Sequence, residues 1–293
     1  MKHAILVMAH GNLSILQKCM ELLDDERFDF YIHMDAKSTD NGHWLKDVCH
    51  KSKVVFTERI PVYWGHYSLI EATVMLLKRA SEEDDYLYYH LISAVDMPLK
   101  TPNEMVSFFN EGPTGTEYIN TRGKDGINDW RMKYRYPFLK CYRRTKSDLI
   151  NNIQKALYSR VLRFPRKKGT SIIRDKGWSV YMGDQWWSIT GDFCKKIIEI
   201  EEEIMPYWKD CYVSDETFAQ TIIMNSAEFK ERKSNFKTRL IDWGRGRPYT
   251  YREDDYDLMM SSPALFVRKL DPKDLKATEL IFKAVNDRKQ KEL

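Results

Sequence analysis

The sequence predicts an α/β protein whose mostly parallel sheet is flanked by helices. Two observations carry this prediction. Apolar, strand-like runs alternate with amphipathic helical segments through the first hundred residues, and the alternation resumes after residue 180. A strand followed by a helix and then another strand is typical of parallel sheets, because the helix returns the chain across one face.

The first hundred residues contain four predicted strands and two predicted helices. The strands are "AILVMAH" (4–10), "DFYIHMD" (29–35), "VVFTE" (54–58) and "DYLYYHLISAVD" (85–96). The helices are "GNLSILQKCMELLD" (11–24) and "SLIEATVMLLKRASEE" (68–83), each with apolar residues at helical spacing.

The rest of the chain is less regular at first. Residues 110–180 are poor in clear strands and rich in Arg, Lys, Tyr and Trp, as is typical of an insertion that carries substrate contacts. Strands are then predicted at "QWWSIT" (185–190) and "RLIDW" (239–243). Helices are predicted from Gly191 to the region of Pro206, from Ser214 as N-cap, and from Pro272.

Charge is unevenly distributed along the chain. The net charge of the 293 residues is only +4, which does not suggest a nucleic-acid partner, but the run 140–176 is strongly basic, with Asp148 and Asp175 as its only acids. Such a run is either a solvated face or a contact for an anionic partner, meaning a membrane surface or a phosphate-bearing substrate.

Cysteine use and hydropathy bear on localisation. The five cysteines are scattered and odd in number, without CxxC spacing, so neither a zinc site nor a disulfide framework is expected. The first apolar run is too short for a signal peptide, and no segment has the length of a membrane span. We expect a cytoplasmic protein with peripheral contact at the inner membrane face.

Three carboxylates follow predicted strands: Asp35, Asp96 and Asp242. A single Asp at a strand end, especially one followed by Pro98, is explained by turn chemistry. Three of them on successive strands indicate a ligand site, because ligands bind at the carboxyl ends of strands in open α/β sheets.

Several aromatic and acidic positions have two interpretations. Trp64-Gly65 directly precedes a helix, which is either a packed helix entry or an anion site at a helix N-terminus. Of Trp186 and Trp187, adjacent residues of a strand, one is expected in the core and the other in a sugar or base pocket. Asp215 and Glu216 either complement a helix dipole or supply a general base.

Basic residues accumulate near the C-terminus. Arginines and a lysine there could clamp a diphosphate, the Arg through a bidentate fork and the Lys as a point charge; they are Arg239, Arg245, Arg247, Arg268 and Lys269. The letters D-x-D occur only late, at Asp255–Asp257, where an acidic helix start is the preferred interpretation. A carboxylate-bound metal is therefore not expected.

Eight motifs in order resemble the core-2/I-branching β-1,6-N-acetylglucosaminyltransferase and peptide O-xylosyltransferase family. They are "MAHGN", "DFYIHMDAKS", "VYWGHYSLIEAT", "HLISAVDMPLKT", "GDQWWSIT", "SDETFAQTIIMNS", "RLIDW" and "SPALFVRKLD". The resemblance runs from the first strand to about Asp271 and is loose between about Thr121 and Trp178, where acceptor recognition would lie.

The resemblance implies a GT-A type fold and an inverting transferase that uses a UDP-sugar and no metal cofactor. It implies one glycosyltransferase domain over 1–293. Residues 1–110 form its nucleotide-binding half, 111–180 an acceptor-side insertion, and 181–293 an acceptor and catalytic half with a diphosphate-binding segment.

Site residues follow from the resemblance together with the residue patterns described above. The nucleotide is expected at Ala9, His10, Asp35, Trp64 and Gly65. Lys269 would contact the diphosphate, assisted by Arg247 or Arg245, of which Arg247 is preferred. Residues expected at the sugar or acceptor are Trp186, Trp187, Asp215, Asp242 and Trp243.

The general base has two candidates. The branching enzymes use the Glu of the "SDE" motif, which is Glu216 here, whereas the xylosyltransferases have been assigned the Asp of the "DxP" turn, which is Asp96. Glu216 is the preferred base, with Asp96 at the donor sugar or acceptor hydroxyls.

The expected reaction is transfer of a sugar, GlcNAc being favoured, to a glycan or lipid-linked acceptor hydroxyl in surface polysaccharide or glycolipid synthesis. One alternative is transfer from UDP-xylose. Two alternatives of other classes are a glycoside hydrolase, disfavoured by the basic cluster, and a non-catalytic nucleotide-sugar-binding protein.

Overall fold

The computed structural model describes residues 2–122, 130–142, 147–165, 171–246 and 248–292. Its strands within these ranges are β1 His3–Ala9, β2 Phe28–Met34, β3 Val54–Phe56, β4 Tyr88–Ser93, β5 Met97–Pro98, β6 Glu117–Tyr118, β7 Tyr134–Arg135, β8 Phe164–Pro165, β9 Ser188–Thr190, β10 Lys233–Ser234, β11 Arg239–Ile241 and β12 Phe266–Arg268.

Helices connect most of these strands. They are α1 Ser14–Leu23, α2 Ser68–Ser81, α3 Pro102–Glu111, α4 Trp130–Lys133, α5 Asp148–Arg160, α6 Ile172–Lys176, α7 Gly191–Ile204, α8 Phe218–Met224, α9 Ala227–Glu231, α10 Tyr256–Met260 and α11 Lys276–Lys291.

The main sheet has the order β10-β6-β9-β4-β1-β2-β3 in the described part of the chain. Strand β1 pairs in parallel with both β2 and β4, and β2 pairs in parallel with β3. Strand β9 is antiparallel to β4 and β6. The predicted α/β class with a mostly parallel sheet is confirmed.

Helices cover both faces of this sheet. Alternate residues of β1 belong to two separate apolar clusters, Ile5 and Val7 to one and Ala4 and Leu6 to the other. Helices α1 and α11 pack in the first cluster and α2 and α7 in the second. Because both faces are covered, β1, β2 and β4 are buried along their whole length.

Three predicted elements need correction. "QWWSIT" forms a strand only at Ser188–Thr190, and the last helix begins at Lys276 rather than at Pro272. Ser214 is not the N-cap of one long helix, because residues 214–216 form a 3₁₀ turn and α8 starts at Phe218.

The predicted row of three carboxylates on one sheet is also wrong at Asp242. Strand β11, which precedes Asp242, belongs to a separate three-stranded sheet of order β11-β12-β5. Only Asp35 and Asp96 therefore follow strands of the main sheet, β2 and β4.

Candidate functional site

A cleft of about 790 Å³ lies beyond the carboxyl ends of β1 and β4, where His10 and Val95 border it. This is the edge at which open α/β sheets bind ligands. Charged and aromatic side chains converge on it from both halves of the chain; they include Trp64, Tyr142, Lys155, Asp184, Trp186, Asp215, Glu216, Trp243, Arg268, Lys269 and Asp271.

The structure brings about half of the predicted site residues to this cleft. Those that line it are His10, Trp64, Trp186, Asp215, Glu216, Trp243 and Lys269. Those that it places elsewhere are Ala9, Asp35, Gly65, Asp96, Trp187, Asp242 and Arg245. Arg247 lies outside the described residues.

Asp35 does not line the cleft but holds the loop that follows β2. Its backbone N–H donates to Ala9 O (2.9 Å), and its Oδ1 accepts from the backbone N–H groups of Lys37 (2.9 Å) and Val62 (3.3 Å). The Lys37 ammonium lies 3.4 Å from Asp35 Oδ2. These contacts tie the end of β2 to β1, so Asp35 fixes the loop beside His10.

Trp64 is held against the acidic turn by Gly65. Gly65 has φ +70°, its carbonyl accepts from Val213 N (2.7 Å), and an added Cβ would lie 3.3 Å from Val213 Cγ2. A larger residue would therefore be strained in both backbone and packing. The half-exposed Trp64 ring stacks on Tyr142, with ring centroids 5.2 Å apart.

Asp215 and Glu216 lie on the 3₁₀ turn that follows Val213. The Gly183 N–H donates to Glu216 O (2.8 Å), and Trp208 Nε1 donates to the buried Thr217 Oγ1 (3.0 Å), which together fix the turn. Arg131 Nη1 donates to Glu216 Oε2 (2.9 Å). Glu216 thus presents a carboxylate, paired with one guanidinium, at the cleft wall.

Asp215 has a different environment from its neighbour. Its Oδ1 is buried and makes no hydrogen bond to the described residues. Burial, and next the negative charge of Glu216, raises the pKa of Asp215 to about 7. The Asp215 carboxyl is therefore partly protonated near neutral pH.

We expect the Asp215 carboxyl to make the protein less stable as pH rises from about 4 to about 7. Between its ordinary pKa of 3.8 and the folded value near 7, the folded state binds one more proton than the unfolded state, so raising the pH favours unfolding. Urea unfolding of the wild type and of Asp215→Asn at several pH values measures this. The wild type should lose stability relative to the variant across that window, and parallel pH profiles would contradict the expectation.

Asp96 is fully buried and does not line the cleft. Its Oδ2 accepts from Ser93 N (2.8 Å), and its Oδ1 accepts from Ser93 Oγ (2.9 Å) and Arg268 Nη1 (2.8 Å). The Arg268 guanidinium in turn lies over the Trp186 ring, 3.9 Å from its centroid. Asp96 therefore orients a cleft-lining arginine and does not itself face the cleft.

Trp186 and Trp187 divide as predicted, although neither lies in a strand. Trp187 is buried in the core cluster that contains α2 and α7, whereas Trp186 lines the cleft beneath Arg268. Trp186 thus borders the cleft with Arg268 over its ring, and Trp187 belongs to the core.

The arginines near the C-terminus differ in their hydrogen-bond partners and in whether they line the cleft. Arg245 Nε donates to Asp242 Oδ2 (2.5 Å), and Arg245 Nη1 donates to Asp255 Oδ1 (2.6 Å). The Arg245 guanidinium is therefore bound by two carboxylates that lie near it in the sequence. Arg239 is buried and donates to Ser188 Oγ (2.6 Å). Of the described part of this cluster, only Arg268 and Lys269 line the cleft.

The acidic residues near Asp255 behave as a helix start, as predicted. Residues 253–255 form a 3₁₀ turn before α10, and Asp255 Oδ2 accepts from Arg252 N (2.9 Å). Across the described ranges, no three His, Cys, Asp or Glu side chains are placed to hold a metal ion. Metal independence stays a prediction.

Among the described residues, none of the helices combines the length and apolar character that crossing a bilayer requires.

Sequence reasoning missed Arg131 as the partner of Glu216 and Asp184 as a cleft residue. Arg131 lies 85 positions from Glu216 in a stretch without clear elements. Asp184 bonds Asn120 Nδ2 (2.7 Å) and pairs with Arg122. The one available signal was the "GDQWWSIT" motif, in which Asp184 precedes the tryptophans.

Comparison with known proteins agrees with the motifs. The family model described as Core-2/I-Branching enzyme matches residues 4–275. The Arabidopsis thaliana protein "Beta-glucuronosyltransferase GlcAT14B" is 21% identical over 283 residues, which are 88% of this chain. The chain spans 60% of the length of that relative.

Solved structures resemble this one only loosely. Mouse Xyloside xylosyltransferase 1 has a TM-score of 0.38 at 10% identity, covering 91% of this chain and 96% of its own. TarS from S. aureus has a TM-score of 0.31 at 14% identity, covering 44% of this chain and 22% of its own.

The family match extends over more than nine-tenths of the chain and includes every residue that lines the cleft. It confirms the family that the eight motifs predicted, and the mixed α/β architecture agrees with the GT-A type fold expected of it. The chain belongs to the Core-2/I-Branching enzyme family.

Proposed function

We propose that this protein is an inverting glycosyltransferase that moves a sugar from a UDP-sugar to an acceptor hydroxyl without a metal cofactor. The observation that carries the proposal is that one cleft is lined both by a carboxylate, Glu216, and by two adjacent cations, Arg268 and Lys269. A hydrolase of simple glycosides needs no such cations, because its leaving group carries no diphosphate charge.

Each group has a defined task in a single displacement. Glu216 takes the proton of the acceptor hydroxyl as that oxygen bonds to the anomeric carbon. The bond from the anomeric carbon to the diphosphate oxygen breaks, and UDP leaves with the electron pair. Arg268 and Lys269 stabilise the charge that develops on the diphosphate, and attack from the opposite face inverts the anomeric centre.

Glu216 is the better placed of the two candidate bases. Its carboxylate lines the cleft, whereas the Asp96 side chain is wholly buried and bonded to Arg268 and Ser93. We assign Asp96 to positioning Arg268 and propose Glu216 as the base.

The donor is proposed as UDP-GlcNAc, with UDP-xylose as the alternative, and the acceptor as a glycan or lipid-linked hydroxyl in surface polysaccharide or glycolipid synthesis. The name of the plant relative specifies glucuronosyl transfer, so UDP-glucuronic acid belongs in the same comparison.

We expect one of these UDP-sugars to stabilise the protein against heat, with and without EDTA. A ligand at about 100 times its dissociation constant adds roughly 2.7 kcal/mol to the free energy of unfolding. Lys269→Gln should weaken UDP binding roughly 10- to 100-fold, since a hydrogen bond to a charged group contributes about 1.5–3 kcal/mol.

Lys273→Gln is the matched control, because Lys273 is an exposed lysine four residues further on that does not line the cleft. Stabilisation that EDTA abolishes would contradict metal independence. Stabilisation without transfer to any acceptor would favour the alternative of a non-catalytic nucleotide-sugar-binding protein.

A further inference from the structure

Helix α5 and the residue that caps its C-terminus expose a continuous apolar stripe, which we define as Leu149, Ile150, Ile153, Leu157 and Val161. Their exposed fractions are 71%, 47%, 52%, 42% and 64%. At 100° per residue these positions fall within an arc of about 120°. Soluble proteins rarely expose apolar side chains in such a contiguous row, and when they do the row marks an interaction surface.

The other side of the same helix faces the protein. Asp148, Asn151 and Lys155 line the cleft. Tyr158 is buried, with its ring in edge contact with Tyr142 at 5.2 Å and its hydroxyl donating to Phe138 O (2.9 Å). The helix is thus fixed as one wall of the cleft and turns its stripe outward.

The sequence around α5 is the most basic part of the chain. Residues 140–176 contain twelve Lys and Arg against two Asp, a net charge of +10. Since the whole chain carries +4, the remaining residues carry −6. Of the described basic residues, Arg160 lies at the end of the stripe and is exposed.

We propose that α5 is a membrane-docking helix that seats its apolar stripe in the headgroup region of an anionic lipid surface. A helix with an apolar face and Lys/Arg flanks lies in the membrane interface in this way, and each basic residue near an anionic surface adds attraction. Because the positive charge is concentrated around α5 and the rest of the chain is negative overall, the sequence favours an anionic partner at this helix. It disfavours a second copy of the chain at this surface, because two segments of charge +10 would repel each other.

Docking by α5 brings the cleft to the membrane, because the stripe and the cleft wall belong to one helix. A corollary, which rests on the proposed function, is that the acceptor is a glycan carried by a lipid. The docking itself does not depend on the transferase activity.

The test is sedimentation of the full chain with vesicles of phosphatidylcholine alone or with about 30% phosphatidylglycerol. We expect binding only to the anionic vesicles, weakened when NaCl is raised from about 0.1 to 0.5 M. The double variant Leu149→Ser/Ile153→Ser should bind at least tenfold more weakly. UDP stabilisation should be unchanged, because neither residue lines the cleft.

Leu258→Ser/Leu280→Ser is the matched control, since it removes two comparably exposed leucines, 50% and 41%, from α10 and α11. It should bind as the wild type does. Equal vesicle binding by the stripe variant and the wild type, or no preference for anionic lipid, would overturn the proposal. So would a concentration-dependent dimer that the stripe variant abolishes. If the wild type does not bind UDP, the proposed function is overturned, whereas the docking proposal is unaffected.

Discussion

Replacing Glu216 by Gln is expected to lower kcat by a factor of about 10²–10⁴, the contribution typical of a positioned general base. The amide has the shape of the carboxylate but cannot accept the acceptor hydroxyl's proton. Because Glu216 belongs to the 3₁₀ turn 214–216, whereas Arg268 ends β12 and Lys269 follows it, UDP binding should persist. Turnover with the donor identified by thermal stabilisation, together with UDP titration, measures both quantities.

Glu201→Gln is the matched control. Glu201, like Glu216, is paired with one basic side chain, Lys78, but it lies on α7 away from the cleft. Its substitution removes a comparable ion pair and should leave kcat within about twofold of the wild type, as expected for a site remote from chemistry. Retention of wild-type kcat in Glu216→Gln would remove Glu216 from the role of base.

Much of the fold was predictable because its central strands are buried on both faces. Such strands are continuous apolar runs, and β1, β2 and β4 are wholly buried. Strand β11 was harder, because three residues, Arg239–Ile241, contain no information on which sheet they join. Its sheet is completed by β5, some 140 residues earlier, so the misplacement of Asp242 followed from a long-range pairing.

The position of a site residue was predictable where a local motif determines it. It was not predictable where a residue distant in sequence determines the orientation of the side chain. The turn at Asp215 and Glu216 reached the cleft as expected. Asp96 did not, because Arg268, 172 positions away, draws its carboxylate inward. A strand-end Asp that faces a ligand and one that faces a buried arginine have the same local sequence.

Asp96→Asn is expected to destabilise the protein by about 3–5 kcal/mol, the usual cost of breaking a buried ion pair by removing one partner. Asp96 accepts hydrogen bonds on both carboxylate oxygens, from Ser93 N on one and from Ser93 Oγ and Arg268 on the other. Either orientation of an amide therefore turns its NH₂ group toward a donor. Urea unfolding measures the loss.

Asp85→Asn provides the comparison at the surface. The Asp85–Lys195 pair has the same 2.8 Å separation as Asp96–Arg268, but its side chains are exposed. Its loss should cost far less than the loss of the buried pair, because solvent screens the charges of an exposed pair. Equal costs for the two variants would show that the Asp96 pair contributes no more than a surface pair.

The kinetics of Asp96→Asn separate its two possible roles. If Asp96 positions Arg268, the variant no longer holds the arginine that we propose to bind the diphosphate, so UDP affinity falls together with stability. If Asp96 were the base, kcat would fall while UDP affinity stayed near that of the wild type. The double variant Asp96→Asn/Arg268→Met adds a decisive comparison. Removing both members of a buried pair relieves the uncompensated charge, so the double variant should be more stable than Asp96→Asn alone although it binds UDP no better.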